Sequence, residues 1–338
     1  LSGVVKRFFK PIEDAHPDKT GGDYWFWPRR MVCEGSMLIL DGKIPSERTI
    51  KKDKKMRYGI KYDATNPKVI EGEIKGKQIL LSIDCTASTP RVTKVDYVKD
   101  QEKIKNYEID AMHLTQDALY FAMTCSNGKT TPFMENVAFL DKNIEVAGQV
   151  GGYYLVKTDK KLQKLLWVKH LPQGVNVQSI ASLGDELYVS GAYGKTTTWG
   201  TTQLLNTQSG ADNQAFWGTV STTDGALGKA QFVQAGYSEG DGIAVTQERV
   251  YWQFMHIIRS DPNDYSGTQE MHRDVLFGDG AQYATRDDLA DEDELWVWQV
   301  GLACYDRTST NLLAFTDAYI SPSYMTIPSG TPTRVGAG

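Results

Sequence analysis

The chain has little of what most metal and catalytic centres are made from. Four cysteines (Cys33, Cys85, Cys125, Cys304) and five histidines are spread over 338 residues. They show no CxxC spacing and no Cys–His pairing, which argues against a structural zinc site. HExxH and phosphate-binding glycine loops are absent. No apolar run approaches the roughly 18 residues that a membrane-spanning helix needs. Helical periodicity is scarce, and residues 238–338 contain no lysine. The Lys43–Arg57 stretch is the one basic cluster. It lies in a chain of net charge −5, so no nucleic-acid footprint is expected. The cysteines leave the redox compartment open. Cys85 and Cys125 each follow the first strand of a repeat, and such positions lie too far apart for a bridge, which needs Cα atoms within about 7 Å. The chain starts at Leu1 without Met, as expected after signal-peptide removal or at a boundary within a longer protein.

What is abundant points to strands. Gly (31), Tyr (17) and Trp (8) suit an all-β protein with many tight turns. One unit recurs: an apolar strand behind a polar turn, then a second strand that ends in Asp and runs into a third. Asp117-Ala-Leu-Tyr120, Asp185-Glu-Leu-Tyr188 and Glu248-Arg-Val-Tyr251 open three copies, their tyrosines 68 and 63 residues apart. Tyr153–Asp159, Phe216–Val220 with Asp224, and Val300–Asp306 supply the second halves. Fainter copies include Gly35–Leu40 with Tyr58–Asp63, and Gly76–Leu81 with Val95–Asp100. The reading is five repeats near 35–75, 76–112, 113–180, 181–243 and 244–316. A strand unit that cannot bury its own faces implies a radial array. The expected fold is therefore a β-propeller of four-stranded blades filling residues 1–325. Six blades are expected, with seven as the alternative. Gly3–Phe9 and Ala318–Met325 would close the ring and remove two free sheet edges. Residues 326–338 read as a Pro/Gly/Thr tail or linker.

Charge is unevenly placed. Residues 1–112 carry 22 Lys+Arg against 17 Asp+Glu, and residues 238–338 carry 6 against 16. Solvated loops of differing charge account for this most simply. The sharper reading is head-to-tail self-association, with the acidic run Asp291, Glu292, Asp293 and Glu294 as a patch that meets a basic side of another copy.

Other candidate sites are few. Gly236-Tyr-Ser-Glu-Gly240 matches G-x-S-x-G, but a strand-like Asp241–Val245 follows where the nucleophile elbow needs a helix. The expectation is a glycine-rich turn between blades. Asp261, Asn263 and Glu270 offer oxygen ligands for calcium in the long 259–294 loop, although the segment fails the EF-hand pattern at Ser266 and His272. Most tryptophans fall within predicted strands and read as packing. Trp199 lies in a loop by composition, where it would be exposed to stack on a sugar or a partner chain.

From residue 176 to 254 the pattern resembles bacterial cell-surface β-propeller repeats. The stretches that carry the resemblance are Ser179–Gly191, Asn213–Val220, Asp224-Gly225 and Gly242–Val245, with Tyr153–Trp167 fitting the same second half. Val220 and Thr246 depart from the family pattern, and WD and kelch signatures are missing. The resemblance implies a secreted or surface-displayed, non-enzymatic module for structure, adhesion or binding, with a protein or carbohydrate partner. An enzyme with a site in a central channel and an intracellular interaction scaffold are the alternatives.

Overall fold

The computed structural model describes residues 27–43, 57–60, 68–71, 78–86, 91–95, 98, 106–126, 132–147, 149, 151–207, 213–259, 274–284 and 296–320. They contain no helix. They form 24 strands in a pattern of six that occurs four times. The first repeat is β1 (Trp27–Glu34), β2 (Met37–Lys43), β3 (Arg57–Ile60), β4 (Lys68–Glu71), β5 (Gln78–Asp84) and β6 (Arg91–Val95). The second is β7 (Asn106–Leu114), β8 (Ala118–Ser126), β9 (Val137–Phe139), β10 (Lys142–Ile144), β11 (Gly151–Asp159) and β12 (Leu165–His170). The third is β13 (Val175–Leu183), β14 (Glu186–Tyr193), β15 (Thr197–Trp199), β16 (Thr202–Leu204), β17 (Gln214–Ser221) and β18 (Leu227–Gln234). The fourth is β19 (Tyr237–Val245), β20 (Arg249–Arg259), β21 (Asp274–Phe277), β22 (Gln282–Ala284), β23 (Trp296–Asp306) and β24 (Leu312–Ile320).

In every repeat the first, second, fifth and sixth strands make a four-stranded antiparallel meander. The third and fourth strands form a hairpin inserted between its halves, separate from the meanders in the first three repeats. Two adjustments to the sequence reading follow. Copies 35–75 and 76–112 share one sheet, because β2 and β5 are hydrogen-bonded neighbours; Tyr58 belongs to an inserted hairpin. The 259–294 segment is not loop throughout, since β21 pairs with β18 through Val233↔Phe277 and covers the outer edge of the preceding sheet. Ala318–Ile320 belongs to β24, paired with β23. Gly3–Phe9 and residues 321–338 lie outside the described residues.

The repeated Asp has a stereochemical cause. At the end of the fifth strand, or for Asp224 three residues beyond it, its carboxylate accepts backbone N–H groups of the turn. Asp159 takes Gln163 and Lys164 at 2.7 and 2.6 Å, Asp224 takes Ala226 at 3.1 Å, and Asp306 takes Thr308 and Ser309 at 3.0 and 2.8 Å. These are Asx-type closures. The residue before the Ala/Glu/Arg of the opening strand motif has a matching task. The carbonyls of Asp117, Asp185 and Glu248 accept from the N–H of Lys160, Thr222 and Arg307. The same turn needs a left-handed residue, supplied by Leu162 (φ 59°), Gly225 (73°) and Thr310 (60°).

Contacts divide the chain into two compact units: residues 1–120, 125–151 and 157–166, and residues 121–124, 152–156 and 167–338. In the first, β5 is buried over all but its last residue, which explains the consecutive Ile79-Leu80-Leu81: a strand covered on both faces does not alternate. In the second, the third and fourth sheets pack face to face. Tyr188, Ala215, Trp217, Val250, Trp252, Phe254, Ala303 and Tyr305 fill the layer, joined by Val233, Val275 and Phe277 of the hairpin region. Strand β20 shows this as alternation, with Val250, Trp252 and Phe254 buried and Tyr251 exposed. First strands β13 and β19 lie side by side.

Candidate functional site

Trp199 is not exposed. It has no accessible surface, and its Nε1–H donates to the Thr219 carbonyl at 3.1 Å. The β15–β16 hairpin folds back so that the indole lies over Gly218, where a Cβ would come within 2.5 Å of Nε1, and against Phe216 at 5.1 Å between ring centres. A fully covered ring cannot stack on a sugar, so Trp199 is a structural residue. The polar threonines around it hid a hairpin that its own sheet buries.

The G-x-S-x-G segment is neither an elbow nor a turn. It opens strand β19, and Ser238 is fully buried. Its Oγ accepts the Ala215 N–H at 2.8 Å. Ser238, His256 and Gln299 occupy one cross-strand row. Burial depresses the His256 pKa from 6.5 to about 4, so the imidazole is neutral. Its Nε2 and the Oε1 of Gln299 make no hydrogen bond. A serine without accessible surface offers no nucleophile to a substrate.

Asp261, Asn263 and Glu270, and the run Asp291–Glu294, lie outside the described residues. Among the described residues no group of three His, Cys, Asp or Glu side chains is placed to hold a metal ion. All four cysteines are free thiols, and burial pushes the Cys125 thiol up to about 12.

A pair of carboxyl groups on β19 went unread in the sequence. Glu239 accepts the Asn213 Nδ2–H at 2.9 Å, the Gln178 Nε2–H at 3.4 Å and the Tyr237 hydroxyl. Asp241 sits at the register shift between Gly240 and Gly242, the kind of irregularity that re-aims a side chain. Burial first, and the charge of Glu239 second, raise its pKa above the ordinary carboxyl range. Two carboxyl groups two residues apart on one strand can accept hydrogen bonds from a hydroxylated or cationic ligand. Nothing in Glu239-Gly-Asp241 announces this, because Gln178 reaches it only through the adjacency of β13 and β19.

No protein-family model matches the chain, and no curated protein matches it.

Proposed function

We propose that the chain is a β-propeller displayed outside the cell, acting as a structural and binding module whose copies associate head to tail. The observation that carries the fold reading is the sixfold strand unit repeated four times, with two successive meanders packed face to face and their first strands adjacent. That is how blades bury the faces each leaves bare. The described residues supply four such sheets. The structural reading is supported by how the fold uses its polar groups: Trp199, Ser238 and the repeated aspartates are all engaged in holding strands together. The surface reading rests on the resemblance over residues 176–254. Intact source cells treated with a membrane-impermeant amine reagent test it. The protein should be labelled before lysis; labelling only after lysis would favour the intracellular scaffold.

A second reading, an enzyme with its site on the first strands, draws on Asp241, whose carboxyl burial holds above the ordinary range, and on Glu239 two residues before it. It requires turnover in a screen of glycosidic and ester substrates, and loss of that turnover in Asp241→Asn. Unchanged turnover in that variant ends it.

A further inference from the structure

The four meanders are not covered alike. Among the described residues, central strands of the first three are buried on both faces: β5 as far as Ile83, β8 as far as Met123, β14 from Leu187 to Tyr193, and β17 from Gln214 to Val220. In the fourth, β20 and β23 alternate between buried and exposed residues. The buried set, Val250, Trp252, Phe254, Ala303 and Tyr305, faces the third meander. The other set looks away from it. There Tyr251, Cys304 and Ala314 form one cross-strand row, and Gln253, Leu302 and Thr316 form the next. Tyr251 is 41% exposed and Leu302 47%.

The matching positions of the third meander are core. Tyr188 follows its polar turn as Tyr251 does, and Trp217 stands opposite Ser190 as Leu302 stands opposite Gln253. Tyr188 and Trp217 have no accessible surface, because the fourth meander lies on them. The bare face is therefore built for sheet-on-sheet packing and repeats an interface that the fold already makes. It lacks the arms that fasten a following repeat. In the third meander Lys229 Nζ donates to the Arg307 carbonyl at 2.6 Å, and Gln231 Nε2 donates to the Thr310 carbonyl at 3.2 Å. By the same register Ala314 and Thr316 hold those places in the fourth.

The face is also uncharged. The two rows end on β19 in Ala244 and Gly242, and in the row beyond them Arg249 and Asp306 pair with each other at 3.3 Å. Such a face meets its own copy without like-charge repulsion. A chain with one bare sheet face satisfies it against the same face of a second copy, and the pair leaves none over.

We propose that two copies of the chain pair through the bare faces of their fourth meanders, sheet on sheet about a two-fold axis. Tyr251 and Leu302 lie in the core of the contact, where aromatic side chains are enriched. The contact is separate from head-to-tail association, which joins unlike, charged surfaces.

The test is sedimentation velocity on the full chain, with alkylation of Cys304 as a footprint. In a background of Cys33→Ser with Cys85→Ser, and with Cys125 buried, a thiol reagent reports on Cys304. The wild-type chain should sediment as a dimer that persists at high salt, since screening acts on charges. Leu302→Lys and Thr316→Lys, both at exposed positions, should each lose the dimer and keep the wild-type urea midpoint. Alkylation of Cys304 should slow as protein concentration rises, and should stay fast at every concentration in Leu302→Lys. A dimer that both lysine variants retain, or that high salt dissolves, places the contact elsewhere and overturns the proposal. A wild-type monomer at high concentration overturns it too. Slow alkylation of that monomer would mean that another segment of the same chain covers the face, and fast alkylation that the face stays bare.

Discussion

The indole N–H of Trp252 donates to Ser190 Oγ at 2.9 Å, across the layer between the fourth and third sheets, with both residues fully buried. Gly240 lies over the same hydroxyl, where a Cβ would stand 2.2 Å from Oγ and 2.9 Å from the Gly191 backbone. The bond and the glycine together set how closely β19 approaches β14. Ser190→Ala leaves a buried N–H unpaired and should cost about 1–3 kcal/mol in urea unfolding. Removing both partners, in Ser190→Ala with Trp252→Phe, should cost less than the two single changes summed. Simple additivity would mean that the bond contributes nothing.

Gly218→Ala should dislodge Trp199. The new methyl group would lie within 2.5 Å of the indole nitrogen, and the bond to the Thr219 carbonyl would break. Overpacking of this kind costs roughly 1–3 kcal/mol. Tryptophan emission should shift to the red in Gly218→Ala, and the shift should vanish when Trp199→Phe is added. An unshifted spectrum would mean that the backbone gives way instead.

Two left-handed residues should respond to glycine in opposite directions. Thr310 is partly exposed and holds φ 60°. Thr310→Gly relieves backbone strain of about 1 kcal/mol and should raise the unfolding midpoint. Leu162 holds φ 59° but is only 3% exposed. There the lost burial, about 2 kcal/mol, outweighs the relieved strain, and Leu162→Gly should destabilise. Stabilisation by both changes would show that Leu162 packs less well than its burial indicates.

Acid should weaken the fold through His256. Its folded pKa of about 4 lies below the unfolded 6.5, so the unfolded chain binds a proton that the native chain refuses. Stability is therefore fully present above about pH 6.5 and falls as pH drops toward 4, by roughly 3 kcal/mol from this group. His113 and His170 are also depressed by burial and add slope of the same sign. Denaturant unfolding between pH 7 and 4 should show a shallower slope in His256→Gln. An unchanged slope would place the titration elsewhere.

Much of the architecture was legible because the repeat is written in backbone chemistry. Asp159, Asp224 and Asp306 recur since each closes a turn with its own carboxylate, and the Leu/Val-Tyr pairs recur since second strands are central in their sheets. The sequence misled where an insertion imitates a repeat. Tyr58 looked like a blade strand and Trp199 looked like a loop aromatic, because a two-stranded hairpin has the same local pattern as an edge strand. The candidate site was illegible for a different reason. Gln178, Asn213, Glu239 and Asp241 are brought together only by sheet packing, and short-range pattern carries no record of that.

A crystal structure of the intact chain tests the central claim most directly. The account predicts the four meanders set around one axis, with β1, β7, β13 and β19 innermost. Meanders stacked in an open line, or split into two separate sandwiches with no common axis, would contradict it.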